Sequence, residues 1–342
     1  MAKKSFYGWL VVLSVFVISG STYSSTPDFY KGKTIRFITA FSPGGAFDVY
    51  TRAVARHFHK HVPGNPSTIV ENMTGAGGII QANYMFQRAK PDGLTIGNNI
   101  GGLILQQILG AKGVEFDGRK FEYIGAPSVD DSVCALTKTS GVTNMNEWFA
   151  AKEPLKLGGI GPGGTLSDVA RTLNAALGLP IRVIDGYKGV ADARLAADAG
   201  EIAGYCGGWE SVKLQWRKAV EAGQVSVVVQ VTAKKNPELP NVPLAIDFAK
   251  TEEARRLLKY AVHDVAIMQR LFFTPPGTPK DRIALLRRSF LDTLKDPEYI
   301  ADSIKTGLTI GPVTGEEIEE IVSGLFKLDN AMVAKLKSVL VP

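Results

Sequence analysis

One local pattern recurs from residue 34 onward: a short β-rich run, a glycine turn, then a helix with apolar residues three and four apart. Residues 35–40 (IRFITA) carry the branched and aromatic side chains of a strand. Phe47, Tyr50, Val54, Phe58 and Val62 then fall on one helix face, which Pro63-Gly64 ends. A strand over 68–71 follows. Gly75-Ala76-Gly77-Gly78 opens a second helix through about Arg88, and Pro91-Asp92-Gly93 turns into a strand over 94–97. A strand that leaves through a helix and returns as a strand lies parallel to its predecessor, with the helix packed across the sheet. The expected fold class is α/β.

The alternation continues through candidate strands at 133–136, 155–158, 181–184, 202–206 and 225–231, with helices over 165–177 and 191–199. The proline-rich passage 236–243 reads as a surface connection. Beyond it come a helix near 252–259, a strand-like run over 266–273, the rigid turn Pro275-Pro276-Gly277-Thr278-Pro279, and two amphipathic helices over 281–295 and 316–337. The 342 residues amount to about two domains. Their order implies two α/β lobes between which the chain crosses twice.

Residues 1–25 read as a leader. Lys3 and Lys4 form a basic start, 9–18 (WLVVLSVFVI) an apolar core, and 19–25 a small polar stretch suited to cleavage. That order is a secretory signal peptide. A retained membrane anchor is the rival, but the strongly apolar run is well short of the roughly 20 residues a spanning helix needs. The expected location is therefore the periplasm, as a cleaved, exported protein. In an oxidising space Cys134 and Cys206 are either bridged or two separate buried thiols. The formal net charge of +6 is small and unclustered, which argues against nucleic acid as a partner.

No sharp enzyme signature is present: there is no Gly-x-Ser-x-Gly elbow and no His-Glu-x-x-His. Gly32-Lys33-Thr34 ends like a phosphate loop, but Pro27 stands where the leading glycine belongs. His57 and His61 share a helix face and could hold a metal ion. No carboxylate or thiol lies nearby in sequence, and a cationic helix C-terminus complementing the helix dipole is the favoured reading. No metal and no cofactor are expected. Gly159, Gly161 and Gly164 satisfy Gly-x-Gly-x-x-Gly after a strand, with Asp185 at the distance of a ribose-binding acid. The exported compartment, the position deep in the chain and Pro162 in the turn count against a dinucleotide site.

Glycine-rich turns at strand ends, leading into helices, recur at Ser42-Pro43-Gly44-Gly45, Gly75-Ala76-Gly77-Gly78 and Gly161-Pro162-Gly163-Gly164-Thr165. Each leaves backbone N–H groups at a helix start, where partial positive charge favours an anion. Two such turns on one lobe and one on the other look like an anion site read from both sides of a cleft. The alternative is three helix caps with no ligand. Asp48, one turn into the first helix, would repel an anion and makes better sense as a buttress that accepts N–H bonds and fixes the loop.

These residues resemble the extracytoplasmic solute-binding receptors of tripartite tricarboxylate transporters, the Bug family. Phe29-Tyr30-Lys31-Gly32-Lys33-Thr34-Ile35 is similar to the family's mature start. Phe41-Ser42-Pro43-Gly44-Gly45-Ala46-Phe47-Asp48 with Arg52 resembles its first ligand loop, and Glu71-Asn72-Met73-Thr74-Gly75-Ala76-Gly77-Gly78 its second. Pro91-Asp92-Gly93-Leu94-Thr95-Ile96, Gly186-Tyr187-Lys188-Gly189, the 275–279 turn and Lys295-Asp296-Pro297-Glu298 extend the likeness, in order, over nearly the whole mature chain.

The resemblance implies a two-lobe periplasmic binding protein (Venus flytrap, type II-like), each lobe a mainly parallel sheet flanked by helices, with a double crossover. Lobe 1 would comprise 27–127 plus 268–342, and lobe 2 128–267. It implies capture of a small organic acid by a monomer and delivery to membrane permease subunits, without catalysis. A sensory receptor and a secreted α/β enzyme acting on a carboxylic acid are the alternatives. The implied ligand residues are Ser42, Gly44, Gly45, Asp48, Gly75, Ala76 and Gly77, with Gly163, Gly164 and Thr165 closing from the second lobe. Phe47 is bulky for its place and could narrow the cleft or stack on a flat ligand. Gly207, Trp209 and Glu210 lie where the distal end of a ligand would sit. There Trp209 would shape a planar ligand and Glu210 bind a hydroxyl or ammonium, unless both are surface residues at a helix start.

Overall fold

The computed structural model describes residues 29–41 and 43–341. The leader expected over 1–25 and the ligand residue expected at Ser42 lie outside them. Among the described residues eleven strands follow in chain order: β1 (Thr34–Thr39), β2 (Ser67–Asn72), β3 (Thr95–Asn99), β4 (Glu122–Ala126), β5 (Ser132–Thr137), β6 (Leu155–Gly158), β7 (Ile181–Ile184), β8 (Gly204–Gly208), β9 (Val225–Gln230), β10 (Leu271–Thr274) and β11 (Val313–Thr314). They form two sheets. The first has the order β11-β4-β10-β3-β1-β2, and the second β7-β6-β8-β5-β9.

Strand–helix–strand succession makes β1 parallel to β2 and β3, and β6 parallel to β7 and β8. The returning strands run the other way. β10 pairs antiparallel with β3 and β4, and β5 with β8 and β9, so both sheets are mixed rather than mainly parallel. The reason is the crossover. β10 enters the first sheet where β3 ends, Leu271 opposite Asn99, and β5 enters the second where β8 ends, Ser132 opposite Gly208. A strand that starts at the junction must point away from it, against strands that finish there.

Strand alternation divides each lobe's apolar residues between the two faces of its sheet. Phe37 packs with Phe58, Phe272 and Phe290, whereas its neighbour Ile38 packs with Met85, Met268 and Phe273. In the second sheet Cys134 and Leu136 join Leu157, Val169 and Leu173, while Val133 and Ala135 face Tyr205, Trp209 and Trp216. Cys134 and Cys206 stand directly opposite one another on β5 and β8 and form a disulfide.

Two expected elements differ. The run over 266–273 begins as a short helix, Asp264–Ile267, and only Leu271–Thr274 is strand. The long helix expected over 316–337 is two, Gly315–Leu325 and Asn330–Leu340. Asp329 accepts the Met332 N–H and caps the second, an alternative to continuing the first. The helix Gly102–Ile108 opens on Gly101-Gly102. Close packing demands those glycines: a Cβ on Gly101 would lie 2.3 Å from Met268 Cβ, and one on Gly102 2.7 Å from the Gly163 carbonyl oxygen.

Candidate ligand site between the lobes

The first two glycine turns follow adjacent strand ends, since Thr39 of β1 pairs with Asn72 of β2. Gly44 has φ +79°, and a Cβ there would meet no described atom within 4 Å, so this turn faces open space. Its N–H donates to Asp48 Oδ2 at 2.9 Å. Arg52 Nε donates to both Asp48 oxygens at 3.0 and 2.9 Å, and Asn72 Nδ2 donates to Asp48 Oδ1 at 2.9 Å and to the Phe41 carbonyl at 2.7 Å. Asp48 therefore ties the first turn to the end of β2. Burial alone would raise its pKa, but the Arg52, Gly44 and Asn72 donors outweigh it and hold the carboxyl below its ordinary value.

The second turn holds four consecutive residues at positive φ: Gly75 (+131°), Ala76 (+46°), Gly77 (+62°) and Gly78 (+99°). Only Ala76 carries a side chain in that left-handed region. A Cβ on Gly78 would lie 2.4 Å from Asn99 Oδ1, whereas one on Gly77 would meet no described atom within 4 Å. Beneath the turn, Asn99 Nδ2 donates to the Gly78 carbonyl (3.0 Å) and to Gln81 Oε1 (2.6 Å), and Gln81 Nε2 donates to the Ile38 carbonyl (3.0 Å). Sequence reasoning missed Asn72, Gln81 and Asn99. The signal was available: Asn98-Asn99 places two amides at the buried end of an otherwise apolar strand.

The third turn, on the second lobe, is braced differently. Ser167 Oγ accepts the Ile160 and Gly161 N–H groups at 2.9 and 2.8 Å and donates to Asp185 Oδ1 at 2.6 Å, while Arg171 also bonds to Asp185. Asp185, spaced like a ribose-binding acid, thus supports the turn. Asp168 accepts the Gly163 N–H at 3.0 and 3.2 Å. Burial pushes its pKa up to about 7, against the opposing pull of the Gly163 amide and Arg171.

Several amides expected to meet a ligand are engaged internally: Gly44 with Asp48, Gly163 with Asp168, and Gly164 with the Gly161 carbonyl. Gly45, Gly75, Ala76, Gly77 and Thr165 are left as the candidate donors. Thr165 Oγ1 accepts Gln269 Nε2 at 2.8 Å, a bond between the lobes. The Phe47 ring packs on Phe41, with centroids 4.3 Å apart, and faces the Arg270 guanidinium. Trp209 is not presented to the cleft. It packs in the second-lobe core, and its Nε1 donates to Glu238 Oε2 at 2.8 Å. Glu210 accepts a bond from Thr309 and pairs with Lys213 at 3.0 Å, holding the lobes together rather than standing free. Gly207 lies against Leu166 and Tyr205.

His61 Nε2 lies 2.9 Å from Asp296, His57 Nε2 3.4 Å from Asp302, and Lys60 pairs with Glu298 at 2.6 Å, so the histidine-rich end locks onto the helix Pro297–Thr306. Among the described residues no group of three or more His, Cys, Asp or Glu is arranged to hold a metal ion.

Two α/β lobes joined by paired crossovers, with glycine turns at the strand ends, define a two-lobed α/β fold similar to that of a TctC protein from Polaromonas (TM-score 0.66, 20% identity, 91% of this chain and 98% of that one). Residues 51–319 match the tripartite tricarboxylate transporter family receptor (TctC), and the chain belongs to this family, whose members are solute-binding receptors. It is 24% identical over 330 residues to the "UPF0065 protein in tcbD-tcbE intergenic region" of Pseudomonas sp. (strain P51), covering 96% of this chain and 92% of that one. Its fold is similar to that of an R. palustris protein solved with adipate (TM-score 0.69, 19% identity, 90% of this chain and 98% of that one). It is also similar to MatC from Rhodopseudomonas palustris with bound malate (TM-score 0.66, 18% identity, 90% and 99%).

Proposed function

We propose that this chain is an exported, periplasmic receptor that captures a small organic acid between its lobes and delivers it to the membrane subunits of a tripartite tricarboxylate-type transporter. Lobe 1 would be assembled from 27–127 plus 268–342 and lobe 2 from 128–267. One ligand carboxylate rests on the amides of Gly45, Ala76 and Gly77, and the 161–165 turn closes over it. Membership of the receptor family supports this, as do the malate and adipate held by proteins of the same fold. The observation that carries it is the four-residue run of positive φ at 75–78, rigidly underpinned by Asn99 yet open at Gly77. Within it Ala76 alone is a strained residue, and strained non-glycine backbone clusters at ligand sites.

Binding drives closure by differential affinity for the closed form, with no bond made or broken. A thermal-shift screen of the purified, oxidised protein over aliphatic, hydroxy, aromatic and amino acids tests this. A ligand at 100 times its Kd adds about 2.7 kcal/mol of stability. A flat response to every carboxylate by folded protein contradicts the reading.

A further inference from the structure

An open groove of about 1260 Å³ runs along the helix Trp209–Glu221, bounded by the helix Val190–Asp198 and by the end of β5 and the start of β9. Five basic side chains line it, Lys138, Arg194, Lys213, Arg217 and Lys218, against one carboxylate among the described residues, Asp198. The charge reads as unclustered along the sequence because these residues come from three elements that only folding brings together. Asp198 is fully engaged: its Oδ1 accepts Trp216 Nε1 at 2.9 Å and its Oδ2 accepts Arg194 Nη1 at 3.1 Å. Lys213 is held by Glu210 and Glu238, each at 3.0 Å. Arg217 meets only the exposed Glu221, at 3.2 Å, a kind of pair that contributes little and exchanges readily for another carboxylate. Lys138 and Lys218 are exposed and make no ion pair among the described residues.

The groove also has an apolar end. Leu214 lines it and is 59% exposed. A Cβ on Gly307, which caps the helix Pro297–Thr306, would lie 3.7 Å from Leu214 Cδ2, and Ile304 in the last turn of that helix is 75% exposed. Ile304 and Leu214 are the most exposed large apolar side chains among the described residues. They stand on helices of different sheets, at the seam where Glu210 bonds Thr309. Exposed apolar side chains rimmed by charge mark an interaction surface.

We propose that this groove docks an acidic segment of a partner protein, one carrying several carboxylates and an apolar side chain. That the partner is a membrane subunit of the transporter rests on the delivery reading above; the chemistry of the groove does not. The carboxylates pair with Lys138, Arg217 and Lys218, and the apolar side chain packs on Leu214 and Ile304. Complementary charge of this kind steers encounter and rejects wrong partners. A chain segment fits better than a bilayer, because lipid headgroups form a broad surface that meets flat or convex faces, whereas a concave groove admits a single chain. The apolar end is assembled from both lobes, so it exists only in the arrangement seen here, and the segment thereby distinguishes this arrangement from one with the lobes apart.

The test is fluorescence anisotropy of the oxidised protein with a labelled peptide of four Glu-Glu-Leu repeats. The peptide should bind, and the triple variant Lys138→Glu, Arg217→Glu, Lys218→Glu should raise its Kd at least tenfold. The same charge reversal at three exposed lysines elsewhere, Lys90, Lys152 and Lys250, should raise it less than threefold. Leu214→Ser should raise it threefold or more. Equal weakening by the two triple variants, or no binding by the wild type, overturns the inference. So does binding of phosphatidylglycerol vesicles in place of the peptide, which would assign the groove to a membrane surface. The two readings fail separately. Protein that binds the peptide but no carboxylate removes the receptor reading and leaves the groove standing, and protein that binds a carboxylate but not the peptide does the reverse.

Discussion

Two glycine turns, one in each lobe, are built on the same plan and tuned in opposite directions. In both, a helix near the turn supplies an aspartate that accepts a turn glycine's N–H, Asp48 for Gly44 and Asp168 for Gly163, and in both an arginine stands near the aspartate. Asp48 receives close bonds from Arg52 and Asn72, and its pKa falls. Asp168 is packed more deeply, its arginine is 3.9 Å away, and burial raises its pKa to about 7. The lesson is that a carboxylate at a turn does not by itself make an anion site. It occupies the amide an anion would use, and its partners decide whether it remains a fixed charge or becomes a titratable one.

The lobes also differ in covalent bracing, and the largest expected effect lies there. The Cys134–Cys206 bridge closes a loop of 72 residues within the second lobe, worth about 4 kcal/mol in the chain-entropy model. Replacing both cysteines with alanine should lower unfolding stability by that order in urea titration. A change under about 1 kcal/mol would mean that the second lobe does not depend on it.

Next comes the pH dependence of Asp168. Its folded pKa is about 7 against an ordinary 3.8, so folding favours the protonated form. That stability is complete below about pH 4 and is lost as pH rises to 7, roughly 2–4 kcal/mol in all. Asp168→Asn keeps an acceptor for Gly163 and removes the titration. The Tm advantage of this variant should grow between pH 4 and 7, and a constant difference across that window would break the contrast with Asp48. For Asp48 the sign is reversed. Its lowered pKa gives stability present above about pH 4 and lost as pH falls below it. Asp48→Asn should cost about 2 kcal/mol at pH 7, because Arg52 and Gly44 lose a charged acceptor. The smallest effect belongs to Gln269→Ala, which removes one neutral bond between the lobes. About 1 kcal/mol or less is expected, read as a change in ligand Kd of under about fivefold.

Much of this arrangement was legible in the sequence. Strands 155–158 and 181–184 and the helix over 165–177 fall where their patterns place them, because turn glycines and a regular apolar period bound each one. The glycine turns were also visible, since few other residues accept their backbone angles. What supports the turns was not. Asn72, Gln81 and Asn99 are separated in sequence and act only because β1, β2 and β3 bring their ends together. The engagement of Gly44 follows from the sequence, where Asp48 reads as a buttress of its own turn, whereas that of Gly163 by Asp168 and of Gly164 by the Gly161 carbonyl was hidden. Trp209 illustrates the converse error. Its position after a strand suggested the cleft, but as the first residue of the helix Trp209–Glu221 it packs into the core, where Glu238 accepts its Nε1–H.

The central claim is that turns from both lobes hold one carboxylate. Gly44, Gly77 and Gly161 each face open space, so the methyl of Gly44→Ala, Gly77→Ala or Gly161→Ala meets no described atom within 4 Å. Gly44→Ala and Gly77→Ala should fold at a cost of about 1–2 kcal/mol for the left-handed backbone, and Gly161→Ala, at φ +120°, at a larger one. Isothermal titration calorimetry of the three variants with the acid found by the thermal-shift screen is the most direct test. The account predicts at least a tenfold rise in Kd for variants in both lobes. A Kd unchanged in Gly161→Ala, or unchanged in both Gly44→Ala and Gly77→Ala, would contradict it.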